Sequence, residues 1–377
     1  MAYPATARAS VLTGTRGDFR VQEYPVPPIE PGAILVRTEL AGICATDPHV
    51  YEGHWKTIRY PVVLGHENVG IVEELGAGVD KDFLGKPLRV GDRVVFKAGS
   101  CGRCSACVLG GGGRGCLNRA GSYGFAGPAT EAPHFTGGFG EVVYLNNPYT
   151  EVFKTELDAQ TAVLTEPTAV CVSAVMRAGI ELGDTVVIQG AGAIGLLTLA
   201  CARMAGSMRT ILVGGPSRRL ELAREMGADH TIDIFQVTDP TERVKRVRAL
   251  TPGGEGADVV FGAVGKAPAV PEGMRFLKKG TGRMIELGNA LESGPATFSP
   301  SADLVEPSLT LVGHWATSTP HWVRALRVLE SGRAPFRDLV SHKIPLERLG
   351  DAVKALLTNY ELDGEGAVKI AVAPNGV

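Results

Sequence analysis

Between residues 33 and 145 the apolar positions fall in short runs. "AILVRTEL", "VGIVEEL", "RVVF" and "GEVVYL" are rich in β-branched residues and stand between glycine-rich turns. This pattern predicts short β-strands for roughly the first 160 residues. Two stretches, "CVLGGGGRGC" and "AGPATEAPHF", read as irregular lobes.

Near Glu166 the rhythm changes. "TVVIQ" precedes "AIGLLTLACARMAG", "TILV" precedes "SRRLELAREMG", and "TIDI" precedes "TERVKRVRALT". "ADVVF" then precedes "APAVPEGMRFLKK", and "GRMIELG" and "SLTLVG" follow. Val244, Val247 and Leu250 recur at three-residue spacing, which places them on one helix face. Short apolar strands alternating with such helices imply an α/β fold, a six-stranded parallel sheet covered on both sides. After Gly313 the alternation stops. Helices are expected around Trp322 to Leu329 and Leu346 to Leu357. No internal repeat stands out.

Composition excludes several classes. Of 377 residues, 44% are hydrophobic and 21% charged, a balance that supports a sizeable core and more than one domain. A net charge of -2 offers no basic field for nucleic acid or an anionic membrane. The N-terminal "MAYPATARAS" lacks a basic segment followed by an apolar run, so no secretory signal is expected. The longest apolar run, "AIGLLTLACARMAG", carries Arg203 and reads as a buried helix rather than a membrane span. Seven cysteines, four of them within sixteen positions, suit metal ligation in a reducing compartment such as the cytoplasm.

"VVIQGAGAIG" puts Gly190, Gly192 and Gly195 between a strand and a helix, with Ala193 and Ile194 in the first helical turn. Gly190 permits the tight turn, Gly192 lets a pyrophosphate approach the backbone, and Gly195 lets helix and sheet pack. The helix N-terminus then offers unpaired N–H groups to the phosphates. An acid that grips the ribose 2′-hydroxyl of NAD is expected about 20 residues further on. Gly214 and Gly215 stand there instead, followed by Ser217, Arg218 and Arg219. Losing the acid removes repulsion against a 2′-phosphate, and an arginine can pair with one. That tilts the cofactor toward NADP, with NAD left open. The nicotinamide end is expected to pass Val264 and the turn at Gly288 and Asn289.

"CGRCSACVLGGGGRGC" spaces Cys101, Cys104, Cys107 and Cys116 by two, two and eight residues. Four thiolates close a tetrahedral, structural zinc site. A redox pair or an iron–sulfur cluster are lesser alternatives. "GICATDPH" gathers Cys44, Thr46, Asp47 and His49; "GHE" supplies His66 and Glu67, and "EP" supplies Glu166. Cysteine, histidine and carboxylate are the ligand types of a catalytic zinc that keeps one position open.

In the order of "GICATD", "GHE", the four-cysteine lobe, "EP" and "GAGAIG", the chain resembles the zinc-dependent medium-chain alcohol dehydrogenases, polyol and threonine dehydrogenases included. The resemblance covers nearly the whole chain. It implies a GroES-like, mainly β catalytic domain at 1–165 with the zinc lobe at 97–120. A Rossmann domain follows at 166–314, and 315–377 returns to the first. It implies Cys44 and His66 as ligands of the catalytic zinc, Glu166 as the third, and Glu67 as an alternating or supporting one. Asp47 orients His66. Thr46 and His49 relay the alcohol's proton by way of the cofactor ribose. One structural zinc, NAD(P), a small alcohol or carbonyl substrate and a homodimer or homotetramer complete the implied set; "SLTLVG" is the edge through which copies pair. The chain departs from the family in three places: the last cysteine gap is longer, Ala193 stands for a frequent proline, and Gly214 replaces the NAD-reading acid. The alternatives are a biosynthetic carbonyl reductase with the same site and a non-catalytic descendant of the fold. Tyr51, His54, Trp55, Lys97, Tyr123, His314 and Trp315 are candidates for the substrate pocket.

Overall fold

The computed structural model describes residues 5–110, 115–118, 121–290, 293–358 and 360–376. Residues 111–114 and 119–120 of the expected zinc lobe lie outside them. The chain forms two compact units. One is Met1–Glu166 with Ser318–Glu330 and Arg337–Val377; the other is Pro167–Thr317 with Ser331–Phe336.

The first unit opens with β1 (Thr6–Leu12), β2 (Phe19–Pro25), β3 (Ile34–Gly42), α1 (Thr46–Tyr51), β4 (Val62–Val63) and β5 (Glu67–Leu75). It continues with β6 (Arg93–Ala98), α2 (Ser105–Gly110), β7 (Val142–Leu145), β8 (Thr150–Lys154) and α3 (Ala159–Ala162). Helix α4 (Thr165–Ala178) carries the chain into the second unit. There follow β9 (Thr185–Gln189), α5 (Ala193–Met204), β10 (Arg209–Gly214), α6 (Ser217–Glu225), β11 (His230–Asp233) and α7 (Pro240–Ala249). Next come β12 (Val259–Gly262), α8 (Ala269–Phe276), β13 (Arg283–Glu286) and β14 (Thr310–Gly313). The final elements are α9 (Thr319–Glu330), β15 (Val340–Ile344), α10 (Leu349–Leu357), β16 (Glu361–Leu362), β17 (Glu365–Gly366) and β18 (Lys369–Val372).

In the first unit a seven-stranded sheet runs β15-β18-β3-β5-β6-β8, with β7 on β3, beside a three-stranded sheet β2-β1-β4. All pairings of these two sheets are antiparallel except β15 with β18. Strand β3 alternates little because both its faces are covered: seven of its nine residues are buried. It is the organising strand, and its last residue, Gly42, leads directly into the cysteine loop.

The second unit is a six-stranded, all-parallel sheet in the order β11-β10-β9-β12-β13-β14, the doubly wound arrangement expected from the alternating texture. Every residue of β9 and β12 is buried, so these central strands read as continuous apolar runs. Each Val, Ile or Phe so buried contributes about 1.5–3 kcal/mol. Val247 of α7 is buried in the core with Val260 and Met274, and Val244 and Leu250 pack against it, as their spacing predicts. Among the described residues no helix is long and apolar enough to cross a membrane.

Candidate active site

The cluster in the first unit begins where β3 ends. Cys44 follows Gly42 and Ile43, and α1 starts at Thr46. Asp47, fully buried, turns back to accept the backbone N–H of Cys44 on Oδ2 at 2.9 Å. Its other oxygen lies 4.0 Å from His66 Nδ1. Thr46 Oγ1 is 3.6 Å from Cys44 Sγ. His66 and Glu67 arrive at the start of β5, whose Glu67 pairs with Gly42 in the β3 ladder. The ligand atoms of Cys44, His66 and Glu67 all lie within 4.8 Å of one another. Glu166, in the first turn of α4, is not part of that set, although its charge acts on His66.

The donor set fits a cation. Among the described residues, buried His66 Nδ1 and Asp47 Oδ1 have no hydrogen-bond partner. Burial pushes the Asp47 carboxyl up to about 6 against the opposing charge of His66. Burial pushes Glu166 up to about 7, again opposed by His66. Burial alone would lower His66, but the hydrogen bond to Cys44 and the charges of Cys44, Asp47 and Glu166 prevail and raise it to about 10. This is the response of anionic groups gathered around a place for positive charge.

One residue of this cluster has no counterpart in the sequence motifs. Lys369, buried at the start of β18, forms an ion pair with Glu67 Oε2 and donates to the carbonyl of Ile43 at 3.0 Å. A Cβ on Gly42 would overlap Glu67 Oε2 and stand 3.0 Å from Lys369 Cε. Gly42 is therefore what admits the pair beneath the cysteine loop. A lone lysine in the apolar run "GAVKIAV" is the signal that could have revealed it.

His49, near the end of α1, sets its Nδ1 3.0 Å from His54 Nδ1. Of the remaining pocket candidates in this unit, Lys97 is held by buried Glu151 at 3.0 Å. Tyr123 is buried, with its hydroxyl 2.6 Å from Thr150 Oγ1. Tyr51 stacks on Phe19. Trp55 stacks instead on Phe125, which lies against His66.

The four-cysteine lobe is also gathered. The sulfurs of Cys101, Cys104, Cys107 and Cys116 lie within 4.8 Å of one another. Leu117 N–H points to Cys104 Sγ at 3.4 Å and Asn118 Nδ2 to Cys101 Sγ at 3.3 Å. The backbone N–H of Arg103 heads the influences that hold the Cys101 thiol down, to about 6. Burial and the neighbouring sulfurs push Cys107 up, to about 12. Thiols this crowded cannot all ionise together, because adjacent thiolates repel one another, unless a cation joins them.

In the second unit the ends of β9, β10, β12 and β13 meet. Gly190 adopts φ +115°. Gly192 caps α5, so Ala193 and Ile194 form its first turn. A Cβ at Gly195 would overlap the carbonyl oxygen of Gly190, and one at Gly190 would stand 3.4 Å from Val264. A Cβ at Gly214 would come 2.8 Å from the Ala191 nitrogen, and one at Gly215 2.8 Å from the Phe235 ring. These glycines let the loop, α5 and the neighbouring strands pack closely, whereas a Cβ at Gly192 would meet nothing within 4 Å, so the backbone there stays open to a pyrophosphate. Ser217 donates to Asp233 at 3.0 Å, Arg218 is exposed, and Arg219 is half-buried. The Gly288 backbone packs on Val264 and Gly265. Glu286, missed in the sequence, shapes that turn: its Oε1 accepts from Gly288 N, Asn289 N and Asn289 Nδ2 at 2.9–3.0 Å. His314 and Trp315 also belong to this unit. Gly195→Ala is expected to weaken NADP and NAD binding about tenfold or more, measurable by calorimetry.

Residues 30–156 match the alcohol dehydrogenase GroES-like domain and residues 193–331 the zinc-binding dehydrogenase domain. A sorbitol dehydrogenase of Halalkalibacterium halodurans is 31% identical over 91% of this chain and 96% of its own. An alcohol dehydrogenase of Thermotoga maritima superposes with a TM-score of 0.89 at 30% identity, covering 99% of this chain and 100% of that one. A Sinorhizobium meliloti protein described as a zinc-binding dehydrogenase, bound to NADP, gives 0.82 at 29% identity, covering 98% and 100%. The chain belongs to the zinc-dependent medium-chain alcohol dehydrogenase family. Within it, the chain is an oxidoreductase of the alcohol and polyol type.

Proposed function

We propose that this protein is a zinc-dependent, NAD(P)-linked dehydrogenase that interconverts a secondary alcohol and its ketone. The observation that carries this reading is the gathering of Cys44, His66 and Glu67, with Asp47 behind the histidine, in a chain that also holds a cleared dinucleotide loop. Bound there, zinc supplies Lewis acidity that lowers the pKa of the substrate hydroxyl, and the nicotinamide supplies a two-electron acceptor. Cys44 and His66 hold the metal, and Asp47 fixes the imidazole from its far nitrogen. Glu166, whose charge acts on His66, is the third ligand, and Glu67, gathered with Cys44 and His66 and paired with Lys369, alternates with it. Thr46 Oγ1 takes the substrate's hydroxyl proton, and His49 releases it to solvent. Cys101, Cys104, Cys107 and Cys116 hold a second, structural zinc.

NADP is the preferred cofactor. Its support is the missing acid at Gly214, the arginines at 218 and 219, and the Sinorhizobium meliloti protein that binds NADP. Arg218→Ala is expected to lower the preference for NADP over NAD about tenfold, read as the ratio of kcat/KM values. The exposed residues of edge strand β14 suit pairing with a second copy, as homodimer or homotetramer. A cofactor-reduction screen with primary, secondary and cyclic alcohols, each with NAD and NADP, tests the activity. Metal analysis tests the sites: two zinc ions per chain are expected, and a single ion would mark a stapled scaffold without a catalytic metal.

A further inference from the structure

Two left-handed glycines bring a loop onto the metal cluster. Gly65 has φ +95° and Gly124 φ +82°. A Cβ at Gly124 would stand 2.8 Å from the carbonyl oxygen of Gly65, so the two backbones touch. Each glycine immediately precedes a ring: His66 after one, Phe125 after the other. The rings lie 5.0 Å apart at 40°. Trp55 stacks on Phe125 at 5.0 Å and 15°. The result is a ladder Trp55–Phe125–His66 that starts at a proposed zinc ligand. Trp55 and Phe125 remain half-buried. The indole N–H is already used on Thr57 Oγ1 at 2.8 Å. Nearby Arg59, whose Nη2 stands 3.2 Å from a Cβ position on Gly127, is paired with Glu131 at 3.3 Å.

We infer that this ladder is a wall of the substrate site and selects a secondary alcohol carried on or beside an apolar ring, alicyclic or aryl. The inference rests on the dehydrogenase reading. In the reaction the ring carbinol loses a hydride to the oxidised cofactor and a proton to solvent, giving the ketone and reduced cofactor. An aromatic wall rewards apolar surface removed from water. It leaves the extra hydroxyls of an open-chain polyol without partners, which costs roughly tenfold in kcat/KM for each one buried. Sorbitol, the substrate that the name of the Halalkalibacterium halodurans relative gives, is therefore a poor one here.

The test compares kcat/KM for cyclohexanol, 1-phenylethanol, 2-propanol and sorbitol with the holoenzyme. Cyclohexanol and 1-phenylethanol are expected to exceed sorbitol by at least about a hundredfold. In Phe125→Ala the cyclohexanol to 2-propanol ratio is expected to fall about tenfold, and Phe125→Leu should recover part of it. A second readout needs no turnover: acetophenone should quench tryptophan fluorescence, and the folded, stack-preserving Trp55→Phe variant should lose that quenching. Sorbitol turned over better than cyclohexanol, or quenching unchanged in Trp55→Phe, overturns the inference while leaving the dehydrogenase reading intact. No turnover of any alcohol with either cofactor overturns both.

Discussion

Cys44→Ser is expected to stop turnover and to lower the zinc content from the proposed two ions per chain to one. The replacement hydroxyl keeps its proton near neutral pH and is a far weaker ligand than a thiolate. The metal's Lewis acidity is worth several kcal/mol in the transition state, so a loss of about a thousandfold or more in kcat is expected. Little else should change. Cys44 Sγ lies 3.6 Å from Thr46 Oγ1 and shares a hydrogen bond with His66, contacts that a serine hydroxyl can in part keep, so the variant should melt near the parent. It should also bind NADP as before. Turnover, metal analysis and cofactor titration on one preparation check all three. Near-normal activity with a single zinc would refute the assignment.

Lys369→Met is the larger structural perturbation. Glu67 is 1% exposed at its side chain and Lys369 5%, so removing the ammonium leaves a carboxylate deep in the fold without its counter-charge. Breaking a buried pair in this way typically costs about 3–5 kcal/mol. Ile43 also loses the donor on its carbonyl. Burial works against the Lys369 proton, but the charges of Glu67 and Cys44 outweigh it and raise its pKa above the ordinary 10.5. A raised lysine stabilises the fold fully below its unfolded pKa, and the contribution fades only as pH climbs through the folded value. The loss in Lys369→Met is therefore expected throughout the neutral range. Denaturant unfolding of the single variants and of Glu67→Gln/Lys369→Met measures it. The double variant should be more stable than Lys369→Met alone, because it removes the stranded charge; additive losses would show that the pair is not coupled.

Much of this was legible in the chain. The second unit could be read strand by strand because central parallel strands are apolar on both faces, and because Gly192 opens α5, Gly227 follows α6 and Asp239-Pro240 opens α7. The metal-site candidates were readable because thiol, imidazole and carboxylate side chains cluster along the sequence. Other features were not. Strands β1 and β2 form an outlying sheet, and the sequence "FRVQEYP" is mostly exposed or half-buried, so its pattern carries little signal. Lys369 lies more than three hundred residues from Glu67, and nothing local announces its partner. Phe125 sits in a glycine- and proline-rich stretch without periodicity, and its place beside His66 depends on two positive φ angles that no spacing rule encodes.

The contact between Gly65 and Gly124 bears on any attempt to redesign this protein. Loop grafts that retune an enzyme's scope usually treat the exchanged segment as independent of the chemistry. Here the segment leans, backbone to backbone, on the residue just ahead of His66, the proposed ligand. A transplant lacking a glycine at 124 would push on the histidine itself, so new specificity and lost metal affinity would arrive in one step. Swaps confined to the side chain at 125 avoid that linkage.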